Sequence, residues 1–147
     1  MSTDTSIRVE HKEGAHWKLV ERYEFSYNSL ADILAKLVEN RARPAGNVSS
    51  QQELRDRLPD DLSQELLAEV QTLETLVPIR SIVIEVGWLL LSELVLFDWN
   101  AVYREHPLYQ ETYGDVIGET FLNAIVGKQL ERYADPERVR FVYWTMT

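Results

Sequence analysis

The sequence predicts an α+β fold: a small antiparallel sheet, made from an N-terminal hairpin and a C-terminal strand, packed with about three helices. Three observations predict it. Residues 7–12 and 16–23 alternate in the manner of strands near one end of the chain, and residues 139–144 read as a closing strand near the other. The stretch between them carries leucine-rich stripes at helical spacing. The chain has 147 residues, 45% of them hydrophobic, and no linker long enough to separate a pair of cores, so residues 1–147 suit one domain.

Residues 7–12 and 16–23 read as the two strands of a hairpin. Ile7, Val9 and His11 alternate with Arg8, Glu10 and Lys12, and Trp17, Leu19 and Glu21 alternate with Lys18, Val20 and Arg22. Glu13-Gly14 supplies the turn. Ser29-Leu30-Ala31-Asp32 resembles a capped helix start, and Leu30, Ile33, Leu34, Leu37 and Val38 follow one buried helical face. Pro44, Gly46 and two serines make residues 41–50 a loop. Asp60-Asp61 opens a second helix after Pro59, striped by Leu62, Leu66, Val70, Leu73 and Val77 and stopped by Pro78. Residues 81–86 are β-branched and read as a short strand, and residues 92–99 as a short helix capped by Ser92. Between them, the apolar run 82–91 fits either strand or helix. Residues 106–114 read as a loop, residues 115–133 as the last helix, and residues 139–144 as the closing strand.

Composition narrows the chemistry. There are no cysteines, which excludes disulfides, thiolate catalysis and cysteine-ligated zinc. The first six residues lack the layout of a signal peptide, and Glu85, Ser92 and Glu93 interrupt the longest apolar run, so a cytosolic protein is expected. The net charge is −9 and is unevenly placed. Residues 60–119 hold twelve acids against two bases, while the rest of the chain is nearly balanced. Such a segment repels nucleic-acid phosphate and attracts basic protein surfaces. The plainer reading of the same acids is a solvated, solubilising face.

The candidates for catalysis are few. His11 and His16 flank the hairpin turn, but no His-x-His or His-x-x-x-His spacing supports a metal, and surface histidines are the simpler reading. Glu93 and Asp98 form a carboxylate pair, more readily explained as a helix cap and a partner for a backbone amide. The six glycines are isolated, so there is no phosphate-cradling loop, and no cofactor is expected. Trp17, Trp88, Trp99 and Trp144 read as core residues. Tyr103, Tyr109 and Tyr113 lie among Glu105, Glu111 and Asp115, and tyrosines interleaved with acids suit a protein interface.

The order of motifs resembles a family of small phage and bacterial proteins. The resemblance rests on Gly14, Trp17, Lys18 and Leu19 of the hairpin, Leu30, Leu34 and Ala35 of the first helix, and Leu58-Pro59-Asp60-Asp61-Leu62-Ser63. Trp88, Leu89, Leu91, Glu93, Leu94, Phe97, Asp98 and Trp99 are similar to the family's central signature, and Val139–Trp144 to its final strand. Three polar motifs of the family are altered here. Its opening Cys-Asp-Ile-His becomes Thr3-Asp4-Thr5-Ser6, its His-Ser-x-Ser becomes Ile84-Glu85-Val86-Gly87, and its closing Phe-Asp-Asn becomes Thr145-Met146-Thr147. Loss of imidazoles and a thiol removes metal ligands and near-neutral acid–base groups together. The resemblance therefore implies a retained scaffold without catalytic residues.

These readings lead to one principal expectation: a non-catalytic, acidic protein of a phage or mobile element that binds a host protein with a basic surface. Its concrete form is an anti-defence, anti-CRISPR-like inhibitor of a nucleic-acid-handling complex in the host cytosol, with no direct contact to nucleic acid or membrane. The expected contact residues are Glu65, Glu69, Glu105, Tyr109, Glu111, Tyr113 and Asp115. The alternative is a small-ligand or nucleotide-binding protein, or a hydrolase, with a cleft lined by Asp4, Glu85, Glu93 and Asp98 and with Arg140 free for phosphate. A further alternative is a homo-oligomer joined through residues 81–91.

Overall fold

The computed structural model describes residues 3–26 and 28–147. Its centre is a four-stranded antiparallel sheet, in the spatial order β2–β1–β6–β3. The strands are β1 (Asp4–Glu13), β2 (His16–Phe25), β3 (Ile84–Leu90) and β6 (Val139–Met146). The helices are α1 (Asn28–Asn40), α2 (Gln51–Asp56), α3 (Gln64–Glu74), α4 (Leu91–Leu96), α5 (Tyr113–Ile117) and α6 (Lys128–Arg132). A second, two-stranded sheet pairs β4 (Val102–Glu105) with β5 (Gln110–Thr112). The α+β class is as the sequence predicts, with β3 added at the sheet edge.

Strand β6 explains the layering. All but its last residue are buried, because successive side chains enter different cores. Val139, Phe141 and Tyr143 join Ile7, Val9 and Leu89 beneath α1, α4, α5 and the segment Thr120–Gly127. Val142 and Trp144 join Ile84 and Val86 beneath α2 and α3. The stripe Leu30, Ile33, Leu34, Leu37 and Val38 of α1 is buried on the first face, as its spacing predicts. Ile84 and Val86 lie on the second face, where they fill the α3 core.

Hairpin register departs from simple alternation. A bulge opposite Val9/Glu10 leaves Val20 unpaired. Tyr23 and Phe25 therefore pack on the first core, while Trp17 crosses to the second face. Glu21, expected on the side of Trp17, instead meets Lys128 and Arg132 of α6.

Several boundaries move. Asn28 and not Ser29 is the first residue of α1. The helix expected from Asp60 begins at Gln64, because Ser63 caps it by accepting from the Leu66 amide at 3.3 Å. Leu90 precedes α4, so Ser92 is an interior, buried residue and not the cap. Within the run 82–91, Ile84–Leu90 is strand and Leu91 opens α4. The last predicted helix is broken: Gly118, at φ +85°, ends α5, and Thr120–Gly127 is wound as a π-helix before α6. The expected loop 106–114 is instead the turn of a hairpin, its second strand and the start of α5.

Candidate functional site

The β4–β5 hairpin stands outside the main sheet, and its base is an aromatic cluster. Phe97 meets Trp99 edge-to-face at 4.7 Å and Tyr113 at 5.1 Å, and Tyr103 meets Tyr113 at 5.1 Å. The Trp99 indole donates to the Leu94 carbonyl at 2.9 Å, and Gly114 N–H donates to the Trp99 carbonyl at 2.7 Å. The Phe97-Asp98-Trp99 motif is thus the foot on which the hairpin stands. Tyr113 belongs to that foot. It is buried, so it is a core residue and not the exposed anchor the sequence suggested.

The tip is different. His106 N–H donates to the Tyr109 carbonyl at 2.9 Å, and the two rings stack at 4.3 Å. This closes a tight turn that leaves Leu108 94% exposed and Tyr109 59% exposed. Glu105 and Glu111 flank the turn, with Glu111 3.8 Å from the His106 ring nitrogen. Asp115 is occupied in a reciprocal cap: its carboxylate accepts from Thr112 N–H at 3.1 Å, and its own N–H donates to the Thr112 hydroxyl at 3.1 Å.

Glu65 and Glu69 lie elsewhere. They sit on α3, beyond the second face of the sheet, whereas Tyr113 packs on the first. Glu69 is tied to Arg8 at 3.0 Å and Arg22 at 3.4 Å. The acids expected to form one surface therefore divide between two layers. Glu105 and Glu111 remain beside the exposed apolar tip.

The alternative cleft does not assemble as one site. Arg140, expected to be free for phosphate, is 3% exposed and fully engaged. It donates to Glu10 at 2.6 Å, to the Asp61 carboxylate at 2.7 Å and to the Asp61 carbonyl at 3.1 Å, with Trp17 stacked at 3.9 Å. Burial alone would raise the Asp61 pKa, but hydrogen bonding and charge from Arg140, with the Trp17 indole, hold it below the usual carboxylate range. Glu93 is equally committed. It accepts from Leu90 N–H at 2.8 Å and pairs with Arg41 at 3.2 Å and Arg43 at 2.9 Å. Asp98 accepts from Asn100 N–H at 3.0 Å. Both carboxylates thus have the structural roles expected of them, and they line one hollow of about 310 Å³ beside Phe97.

His11 stacks on Tyr133 at 4.1 Å and pairs with Lys18, not with His16. Among the described residues, no group of three or more histidines, cysteines or acids is placed to hold a metal. The interface expected at residues 81–91 is largely interior: Ile84, Val86, Leu89 and Leu91 are buried, while Val83 is 40% exposed. Val48 N–H donates to the Ile84 carbonyl at 2.8 Å, which covers a portion of the β3 edge.

The three altered motifs do converge. Strand β6 lies between the other two, so Thr5, Thr145 and Glu85 form one row across the sheet, and Asp4, Met146 and Ile84 form the next. Asp4 and Glu85 are consequently on opposite faces. At this end a hollow of about 300 Å³ is bounded by Thr3, Asp32, Asn47, Glu85, Thr145 and Thr147. In the sequence Asp32 reads only as part of a helix start, and Asn47 only as a loop residue. Leu108, between Pro107 and Tyr109, is legible only as an apolar residue in a turn, and its spacing gives no sign of its exposure.

Comparison with known proteins adds no assignment: no family model, curated protein or solved structure matches the chain.

Proposed function

We propose that this chain is a non-catalytic protein-binding protein and that the β4–β5 hairpin is its docking element. The observation that carries this reading is Leu108, 94% exposed at the tip of a hairpin whose base is locked by an aromatic cluster. A large apolar side chain held out on an ordered turn is costly in water and useful in a socket. Tyr109 adds area with little entropy loss, because its ring already stacks on His106.

The flanking acids select the partner. Glu105 and Glu111 favour an apolar socket ringed by lysine or arginine. The net charge of −9 disfavours nucleic acid itself. Proteins that handle nucleic acid carry such basic grooves, and an inhibitor of a defence complex is the form of this reading that the phage-family resemblance favours.

The test is capture from a bacterial lysate at low and high salt, with wild type, Leu108→Ser and Glu105→Lys/Glu111→Lys as baits. The expected result is a stoichiometric protein retained by wild type, lost with Leu108→Ser, and weakened by salt and by charge reversal. All three baits capturing the same protein equally would defeat the hairpin reading. Loss with Leu108→Ser but no salt dependence would leave an apolar dock without electrostatic selection.

A further inference from the structure

We infer that a second copy of this chain fills the hollow at the base of the β4–β5 hairpin with its Leu108, so that two chains pair by exchanging hairpin tips. Five of the eight large apolar side chains exposed among the described residues, Val95, Leu96, Val102, Leu108 and Tyr109, fall within residues 95–109. The exposed apolar surface is therefore concentrated on one lobe, from the end of α4 to the hairpin turn. The two ends of that lobe are complementary in kind. The tip presents Leu108 between Glu105 and Glu111. The base holds the hollow of about 310 Å³, with Leu37, Leu89, Leu96 and Phe97 as its apolar lining and Arg41 at its edge. A hollow of that size admits a small ligand, and hence a leucine side chain.

One chain cannot make this contact with itself. The aromatic foot of Phe97, Trp99 and Tyr113 holds the hairpin upright, and the four residues of β4 set the tip roughly 13 Å beyond the base. A second copy turned about a twofold axis brings each tip to the other's base, so the same contact forms twice. Leu108 and Leu96, at 94% and 75% the two most exposed large apolar side chains among the described residues, are then removed from water together. Charge agrees. Arg41 and Arg43 share the Glu93 carboxylate, at 3.2 and 2.9 Å, which leaves positive charge at the base to meet Glu105 and Glu111. Asp98, on the same lining, offsets part of it, so the leucine carries most of the contact. The pairing goes beyond partner binding because it needs only this chain, and it covers Leu108 until a partner displaces the second copy.

Sedimentation of the full chain over a concentration series should show a monomer–dimer equilibrium. Reciprocal contacts lose a substituted side chain twice. At about tenfold for each buried leucine, Leu108→Ser should weaken the dimer about a hundredfold, and Leu96→Glu at least as much. Both residues are exposed in the single chain, so neither change should unfold it. NMR then locates the contact. The chain has no cysteine, so Gln110→Cys, exposed beside the tip, carries a single nitroxide. Mixed with isotope-labelled chain that lacks the nitroxide, it should broaden the amides around Leu37, Arg41 and Phe97. A chain that stays monomeric to millimolar concentration, a dimer indifferent to both substitutions, or broadening confined to residues away from the hollow would overturn the inference. A monomeric chain that still captures a host protein through Leu108 would overturn it too, while leaving the docking hairpin intact.

Discussion

The two faces of the central sheet are built from the same strands and hold their helices differently. On the first face, Ile7, Val9, Leu89, Phe141 and Tyr143 meet the apolar stripes of α1, α5 and the π-helical segment. On the second face, the matching row of β1 is Ser6, Arg8 and Glu10, and β6 contributes Arg140. There α3 is held by Val142 and Trp144 on one side and by buried charge on the other. Glu10 accepts from Ser63 N–H at 2.8 Å, and Arg8 reaches Glu69. Apolar contact tolerates small slips of a helix over a sheet. A carboxylate aimed at one backbone amide does not, so the charged face fixes where α3 begins.

Breaking the charged face at one partner should have the largest effect. Arg140→Met leaves the fully buried Glu10 with only the Ser63 amide. A buried charge stripped of its partner costs about 3–5 kcal/mol. Adding Glu10→Gln removes the stranded charge while keeping an acceptor for Ser63, so the double variant should regain more than half of the loss. Chemical denaturation of the wild type, the single and the double variants measures this. A double variant no more stable than Arg140→Met would mean that Arg140 acts through packing on Trp17 and not through Glu10.

The apolar face has its own sensitive point. The Tyr143 ring lies over Gly87, and a Cβ at Gly87 would stand 2.8 Å from its hydroxyl oxygen. Burial, together with the charge of Glu85, pushes the Tyr143 phenol well above its usual pKa, so it stays protonated. Gly87→Ala should therefore cost about 1–3 kcal/mol through overpacking. The cost should shrink when Tyr143→Leu clears the space. An equal cost in both backgrounds would place the strain in the β3 backbone and not in the ring.

The difference between the faces also marks what is legible in the sequence. The α1 stripe and the alternation of β1 follow directly from periodic apolar residues, and the structure has them where that periodicity puts them. Glu10, Arg140 and Asp61 come from segments far apart in the chain, and nothing in their spacing announces that they meet. The bulge at Val20 has no turn residue to betray it, yet it decides that Trp17 and not Glu21 faces Arg140. The Gly118 break is visible as a glycine but is masked by the apolar pattern on both sides. At the hairpin, Tyr109, Glu105 and Glu111 stand out from composition, whereas the place of Tyr113 does not, because burial under Phe97 depends on tertiary packing. The sheet-end hollow is half legible: its strands carry recognisable motifs, but Asp32 and Asn47 arrive from a helix and a loop.

The smallest effect concerns the rim of the charged face and depends on pH. Asp61 sits at the outer edge of the network, with its side chain 57% exposed, between Arg140 and the Trp17 indole at 3.0 Å. Its carboxyl is more acidic in the folded chain than in the unfolded one. The unfolded state therefore takes up the proton first as pH falls, and protonation favours unfolding. The contribution of Asp61 is complete above the ordinary carboxylate pKa of about 4 and is lost as pH falls through its lower folded value. Asp61→Asn removes the charge but keeps the backbone carbonyl that Arg140 also uses. Urea midpoints of wild type and Asp61→Asn should differ by a constant amount from pH 7 to about 5 and converge below about 4. General acid destabilisation acts on both chains, so the difference isolates this one group. A gap that persists unchanged at low pH would show that the asparagine lost geometry and not charge, and would confine the electrostatic hold on α3 to Glu10 and Arg140.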